Sequence, residues 1–245
     1  MSGARRVQLE PAYLLHHRPY SDSSRVLDLV TLNHGRVTLF ARGARRPGSA
    51  LAAVLQPFQP ILVSWAGKAD GGTLTAAELA GDPVPLAPAR LMSGFYLNEL
   101  LLKLLSREDT HPEVFELYAG ALAGLKEAAG GVAEQVTLRR FEKGLLDALG
   151  YGPDLTAEAR TGQPLDPAGY YHFRAEFGVV AAAGPGEGAF EGVELLAIAA
   201  GRFEGLPAQR CAKRVLRAAL DACLDGRALR SREVMLALRR QENDT

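Results

Sequence analysis

The side chains with the clearest capacity for chemistry are arginines. Arg18, Arg25, Arg36, Arg42, Arg45 and Arg46 crowd one short stretch that holds only Asp22 and Asp28 as acids. Guanidinium forks match phosphate oxygens, and Tyr20 and Phe40, interleaved with them, offer rings on which unpaired bases stack. The chemistry is therefore single-strand nucleic-acid binding. The competing reading is a solvated strand face, which charge runs commonly form. A second cluster, Arg210, Lys213, Arg214 and Arg217, has the three- and four-residue spacing that lines one helix face. It is diluted by Asp221 and Asp225 and followed by Arg227, Arg230, Arg232, Arg239 and Arg240. It reads equally as a nucleic-acid surface or as a solvated face. A third pair, Arg139 and Arg140, borders a leucine-rich helix stripe, where an acidic, apolar peptide could dock or where the arginines simply snorkel.

Catalytic patterns are absent. There is no phosphate-cradling glycine loop, no Gly-x-Ser-x-Gly and no His-Glu-x-x-His. His16, His17, His34, His111 and His172 are scattered, without thiol or carboxylate partners at metal-ligand spacing. Asp22 and Asp28 are expected to pair with nearby arginines. Cys211 and Cys223 stand twelve positions apart on a helical pattern, about 18 Å along one axis, too far to bridge. They read as small buried hydrophobes, reduced in a cytoplasmic setting.

These residues need elements to position them. Val37, Leu39 and Ala41 alternate with Arg36, Thr38, Phe40 and Arg42, the period of a strand with one buried face. Gly43 then stops the strand, and Arg45 and Arg46 sit in a Pro/Gly/Ser loop. Residues 25–32 alternate likewise, and Asn33-His34-Gly35 joins the two strands as a hairpin. Strands over residues 12–16, 60–66 and 72–79 complete a set of five, the last two split by a turn carrying Lys68. Five short strands suggest a small closed barrel of the OB type.

The proline-dense stretch 82–88 marks a boundary, after which apolar residues recur at helical spacing. Helices are predicted over residues 90–106, 112–125, 133–149, 209–224 and 231–241, with short extended pieces at 170–173 and 178–182. Gly150-Tyr151-Gly152-Pro153 ends the third helix.

The whole chain has 245 residues, 47% of them hydrophobic and 23% charged, with a net charge of zero, so any basic surface must be local. No stretch has the length of a membrane span, and residues 1–10 lack an apolar leader pattern. A cytoplasmic, nucleoid-associated protein with no membrane partner is expected.

Several runs together resemble a known family. They are Tyr13-Leu14-Leu15-His16-His17-Arg18-Pro19-Tyr20-Ser21-Asp22-Ser23-Ser24, His34-Gly35-Arg36, Arg42-Gly43-Ala44-Arg45-Arg46 and Leu55-Gln56-Pro57-Phe58-Gln59-Pro60. Gly94-Phe95-Tyr96-Leu97-Asn98-Glu99-Leu100, Leu138-Arg139-Arg140-Phe141-Glu142, Leu149-Gly150-Tyr151-Gly152 and Leu229-Arg230-Ser231-Arg232-Glu233 follow in order. The set is similar to the bacterial recombination mediators of the RecO family and covers nearly the whole chain.

The resemblance implies an α+β fold, with an N-terminal OB-fold barrel over residues 1–82. A mainly helical domain follows over residues 83–245, with a loop-rich insertion around 153–185. It implies a non-enzymatic DNA-repair mediator that needs no cofactor. Such a protein binds single- and double-stranded DNA, anneals complementary strands, and acts with RecR on DNA coated by single-strand binding protein (SSB) so that RecA can load. Many members carry a four-cysteine zinc site after the Gly-Tyr-Gly stop. Residues 153–180 hold no cysteine, so the chain resembles the zinc-free branch, its loop packed around Tyr170, Tyr171, Phe173 and Phe177. Carried onto this sequence, DNA contacts fall to Arg18, Arg36, Phe40, Arg42, Arg45, Arg46, Lys68, Arg210, Lys213, Arg214 and Arg217. The acidic SSB tail falls to Arg139 and Arg140, with Leu97, Leu101 and Leu138. The alternative is a protein-interaction scaffold whose barrel binds protein rather than DNA.

Overall fold

A computed structural model describes residues 6–81 and 85–243, the side chains of Leu206 and residues 239–243 excepted. The expected boundary at Asp82 and Pro83 and the side chains of Arg239 and Arg240 lie outside the described residues. The chain divides into two compact units, Met1–Lys126 with Leu229–Thr245, and Glu127–Ala228.

The first unit is built on a closed barrel of β1 (Arg6–Pro19), β2 (Arg25–Thr31), β3 (Gly35–Ala41), β4 (Pro60–Ala66) and β5 (Asp70–Leu79), in the order β1-β2-β3-β5-β4. That order, with β3 and β5 parallel, is the OB arrangement. β1 reaches both neighbours because its register slips between Leu14 and His16 and again between Val7 and Glu10, and such bulges bend a strand enough to close a barrel. Period-two alternation decides the interior: Leu14, Leu27, Leu29, Val37, Leu39, Ala41, Ile61, Val63 and Trp65 form its core.

Two helices belong to the same unit, α2 (Leu91–Leu104) and α3 (Pro112–Glu127), together with the short α1 (Ala50–Val54) and the last helix, α7 (Arg230–Asn243). Asn98 Nδ2 donates to Leu15 O at 2.9 Å, and the Tyr13 ring lies 5.3 Å from Phe115 and 5.1 Å from Tyr118, so β1 is tied to both longer helices. The β2–β3 turn docks on the α2–α3 connection. Gly35, at φ +64°, approaches so closely that a Cβ would stand 2.0 Å from Asp109 O, and Glu108 N donates to Arg36 O at 3.0 Å.

The start of α7 is capped from another helix. Both Glu99 oxygens accept, from Arg230 N (2.9 Å), Ser231 N (2.9 Å) and Ser231 Oγ (2.6 Å). An acceptor here satisfies orphan donors of the first turn and suits the positive end of the helix. Burial alone would raise the Glu99 carboxyl; these hydrogen bonds and Lys103 outweigh it and hold it below the ordinary glutamate value.

The second unit packs α4 (Gly131–Ala148) against α6 (Leu206–Leu224) and α5 (Gly192–Ala199) against α6, beside a small sheet of β6 (Tyr170–Arg174), β7 (Gly178–Ala181) and β8 (Phe190–Glu191). Cys211 and Cys223 share α6 as predicted, and burial pushes the Cys211 thiol up to about 12. The cysteine-free loop is held only partly by the expected rings: Tyr171 is buried and Tyr170 and Phe173 are half-buried. Phe177 is 68% exposed at the β6–β7 turn and packs nothing into place. Leu155 and Leu165 are buried as well, Tyr171 Oη accepts from Asp166 N at 2.8 Å, and the Glu158 carboxylate accepts from Thr161 N and Oγ1 at 2.8 and 2.7 Å.

Two helices, α1 and α5, go beyond the predicted set. The first is only five residues long, below the reach of helical periodicity. The second does leave a signal in the sequence: Glu191 and Glu194 form a reciprocal capping box at its start.

Candidate nucleic-acid interface

One end of the barrel gathers what the sequence scattered. The outer face of the sheet carries a row Arg18, Val26, Phe40, Thr73, aligned across four strands by register. Phe40 is half-buried. The Tyr20 ring, from the β1–β2 turn, meets it edge-on at 4.8 Å and 61°. Gly71, the second residue of β5, lies alongside at ordinary contact distance: a Cβ there would stand 3.9 Å from Phe40 Cε2. Lys68 sits exposed on the β4–β5 turn just before it. Phe40 thus meets the β1–β2 turn through Tyr20 and lies beside the start of β5, and Tyr20, 65% exposed, is the ring open to solvent.

The basic loop after β3 is fastened to the β1–β2 turn. Arg45 N donates to Ser23 O at 3.0 Å, and Arg45 Nη1 donates to Ser21 O at 2.7 Å. Arg46 N closes a tight turn on Gly43 O at 3.1 Å, which Gly43 permits at φ +72°. Arg18, Arg42, Arg45 and Arg46 are all exposed. Among the described residues, Arg18, Arg42, Arg46 and Lys68 form no ion pair within 4.0 Å. Beside them, burial first and then Arg25 and His16 push the His17 imidazole below its ordinary value, so it adds no charge at neutral pH.

Arg36 has a different task from the one its strand position suggested. Its Nη1 donates to Leu102 O and, at 3.0 Å, to Leu105 O, the carbonyls left unpaired where α2 ends. A cation there also complements the helix dipole. Burial pushes its pKa down from the ordinary guanidinium value, with Asp28 and Asp70 opposing and Arg107 adding to the fall. Arg36 is thus a strut between β3 and α2. Asp28 likewise departs from expectation: it accepts from Thr38 Oγ1 at 3.1 Å and lies 3.9 Å from His16 Nδ1, with no arginine in ion-pair range among the described residues.

On α6, Arg210, Lys213, Arg214 and Arg217 do share the exposed face, opposite buried Cys211, Ala212, Val215, Leu216, Ala219 and Leu220. Arg214 and Arg217 have partners within the chain. Arg214 Cζ stacks 4.4 Å above the Phe190 ring, and Arg217 pairs with Asp221 at 3.6 Å.

The expected peptide groove is not an open surface. Leu97 and Leu101 are 0% exposed in the first unit, and Leu138 is buried in the second. The Arg139 guanidinium is buried against Glu142 Oε1 at 2.6 Å, because one helical turn brings the two together and a buried cation needs a partner. Arg140 is exposed, and Glu204 holds it at 3.0 Å.

No group of three His, Cys, Asp or Glu converges to hold a metal among the described residues, and none of their helices is long and apolar enough to cross a membrane. The closed barrel with its rim of rings and arginines defines an OB-fold protein with a helical extension. Comparison with known proteins narrows the class. A family profile described as "Recombination protein O N terminal" matches residues 6–82, and one described as "Recombination protein O C terminal" matches residues 86–233. Among relatives named "DNA repair protein RecO", that of Methylococcus capsulatus is 45% identical over 229 residues, 94% of this chain and 93% of its own. Those of Thiobacillus denitrificans and Aromatoleum aromaticum are 43% and 42% identical, over 97% of this chain and 95% and 99% of theirs. The chain belongs to the RecO family of DNA-repair and recombination proteins.

Proposed function

We propose that this protein is a non-enzymatic mediator that binds single- and double-stranded DNA and anneals complementary strands. With RecR, it helps RecA load onto SSB-coated DNA. The observation that carries the reading is that Arg45 ties the 42–49 loop to the 20–24 turn, whose Tyr20 meets Phe40 of β3, with the start of β5 alongside. Arg18, Arg42, Arg46 and Lys68 hold phosphates there in this reading, and the exposed face of α6 supplies further contacts. Such a surface lowers the repulsion between two phosphate backbones while leaving base edges accessible, which is what annealing requires. Family membership supports the partners. Of the five residues expected to meet the SSB tail, Arg140 retains an exposed guanidinium.

The test is the Arg42→Glu/Arg46→Glu double variant, with oligonucleotide affinity measured across a salt series. Affinity is expected to fall, and the log–log salt slope on single strands to flatten by roughly 0.7 for each phosphate that is no longer neutralised. Unchanged affinity and slope would refute the assignment. Annealing of SSB-coated complementary strands, followed by fluorescence with and without the protein, tests the activity itself.

A further inference from the structure

We infer that the barrel rim holds two separable subsites, and that preference for unpaired bases resides in Tyr20, with Arg45 as the residue that positions it. The inference rests on the DNA-binding reading above and deepens it.

Tyr20 sits in the turn between Pro19 and Arg25, where an exposed aromatic ring would ordinarily be free to swing. It is not free here. Its backbone N–H donates to Ser24 O at 3.1 Å, closing the turn on itself. Its ring leans edge-on against Phe40, which is seated in β3 beside Gly71. Arg45 pins the turn from outside through both its side chain, on Ser21 O, and its backbone, on Ser23 O. The turn backbone is thus held by its own hydrogen bond and by Arg45, and Phe40 supports from one side a ring that is still 65% exposed. A platform ordered before binding gives up little conformational entropy when a base stacks on it.

Stacking and phosphate contact have different selectivity. Phosphates are displayed by single strands and duplexes alike, so Arg18, Arg42, Arg46 and Lys68 serve both. A base face is available only where the strand is unpaired. Arg45 differs from its neighbours because one arm of its guanidinium is committed to Ser21 O. Its leading role is to hold the β1–β2 turn, whereas the loop sequence suggested a plain phosphate contact. Phe40, half-buried, is the buttress rather than the open platform.

The experiment uses the full chain and compares a single strand with its duplex of equal length. Tyr20→Ala is expected to weaken single-strand binding about 5- to 150-fold, equivalent to about 1–3 kcal/mol for one stacked base, and to leave duplex affinity and both salt slopes unchanged. Tyr20→Trp is expected to restore single-strand binding. Trp65 is the chain's one native tryptophan and is 1% exposed, so the new indole reports directly. Its fluorescence should be quenched by the single strand and not by the duplex. Arg45→Met is expected to reduce both that quench and the single-strand preference, whereas Arg42→Met lowers affinity for both forms together. Equal losses on single strand and duplex in Tyr20→Ala, or an indole that responds to neither, would overturn the inference even if the Arg42→Glu/Arg46→Glu variant behaves as proposed. If that charge reversal leaves binding intact, the underlying DNA-binding reading fails instead.

Discussion

Replacing Arg36 with methionine keeps an unbranched aliphatic stem and removes the guanidinium that ends α2. Two acceptors, Leu102 O and Leu105 O, are then left without their donor. A hydrogen bond from a charged donor contributes about 1.5–3 kcal/mol, and two would give about 3–6 kcal/mol if fully buried. Arg36 is half-buried, so water recovers part of that loss, and about 2–4 kcal/mol of destabilisation is expected. In a chain of this size each kcal/mol moves the midpoint by about 2–4 °C, so thermal unfolding should fall by roughly 5–15 °C. The backbone hydrogen bond from Glu108 N to Arg36 O remains, so the α2–α3 connection should loosen without detaching. Calorimetry reads the midpoint, and fluorescence anisotropy with labelled oligonucleotide, well below that temperature, reads DNA affinity. Affinity should stay close to that of the parent, because the side chain points its charge into the protein. An unchanged midpoint together with a clear loss of DNA affinity would refute the strut assignment and return Arg36 to the phosphate surface.

Three further outcomes follow from the same geometry. Gly35→Ala places a Cβ 2.0 Å from Asp109 O at a φ of +64° and should cost more than about 2 kcal/mol in denaturant unfolding; a loss under that would mean the hairpin turn can shift away from the α2–α3 connection. The Glu99 carboxyl is held below its ordinary value in the folded chain, so its stabilisation is complete above the ordinary glutamate range and is lost as pH falls through the depressed folded value. Protection factors in α7, corrected for the intrinsic exchange rate at each pH, should therefore fall on acidification, and Glu99→Gln should flatten that dependence. Arg139→Ala deprives buried Glu142 of its guanidinium partner and should destabilise the second unit by about 3–5 kcal/mol, so loss of any partner affinity in that variant must be read against its lowered melting point.

Much of the architecture was legible in the sequence because it depends on local pattern. Period-two alternation placed β3 and sent Val37, Leu39 and Ala41 inward, where they are 0% exposed. Helical spacing located α2, α3, α4, α6 and α7 to within a few residues. The α6 arginines share a face because three- and four-residue spacing guarantees it once the helix forms.

Only the tertiary structure decided what individual charges do. Arg36 and Arg42 flank the same strand and read alike in the sequence; the end of α2 lies over one and solvent over the other. Arg139 and Arg140 are adjacent, yet one turn of helix gives Glu142 to the first and the surface to the second. Tyr20 and Phe40 lie twenty positions apart and meet because β2 pairs with both β1 and β3 and sets Arg18, Val26 and Phe40 in one row, a register that only strand pairing fixes. The sequence alone determined that this chain makes a small barrel, a set of helices and a reserve of arginines. Which arginines brace the fold and which remain for a phosphate depended on long-range packing, because a guanidinium is committed by whichever acceptor the fold brings within reach, and local pattern does not contain that partner.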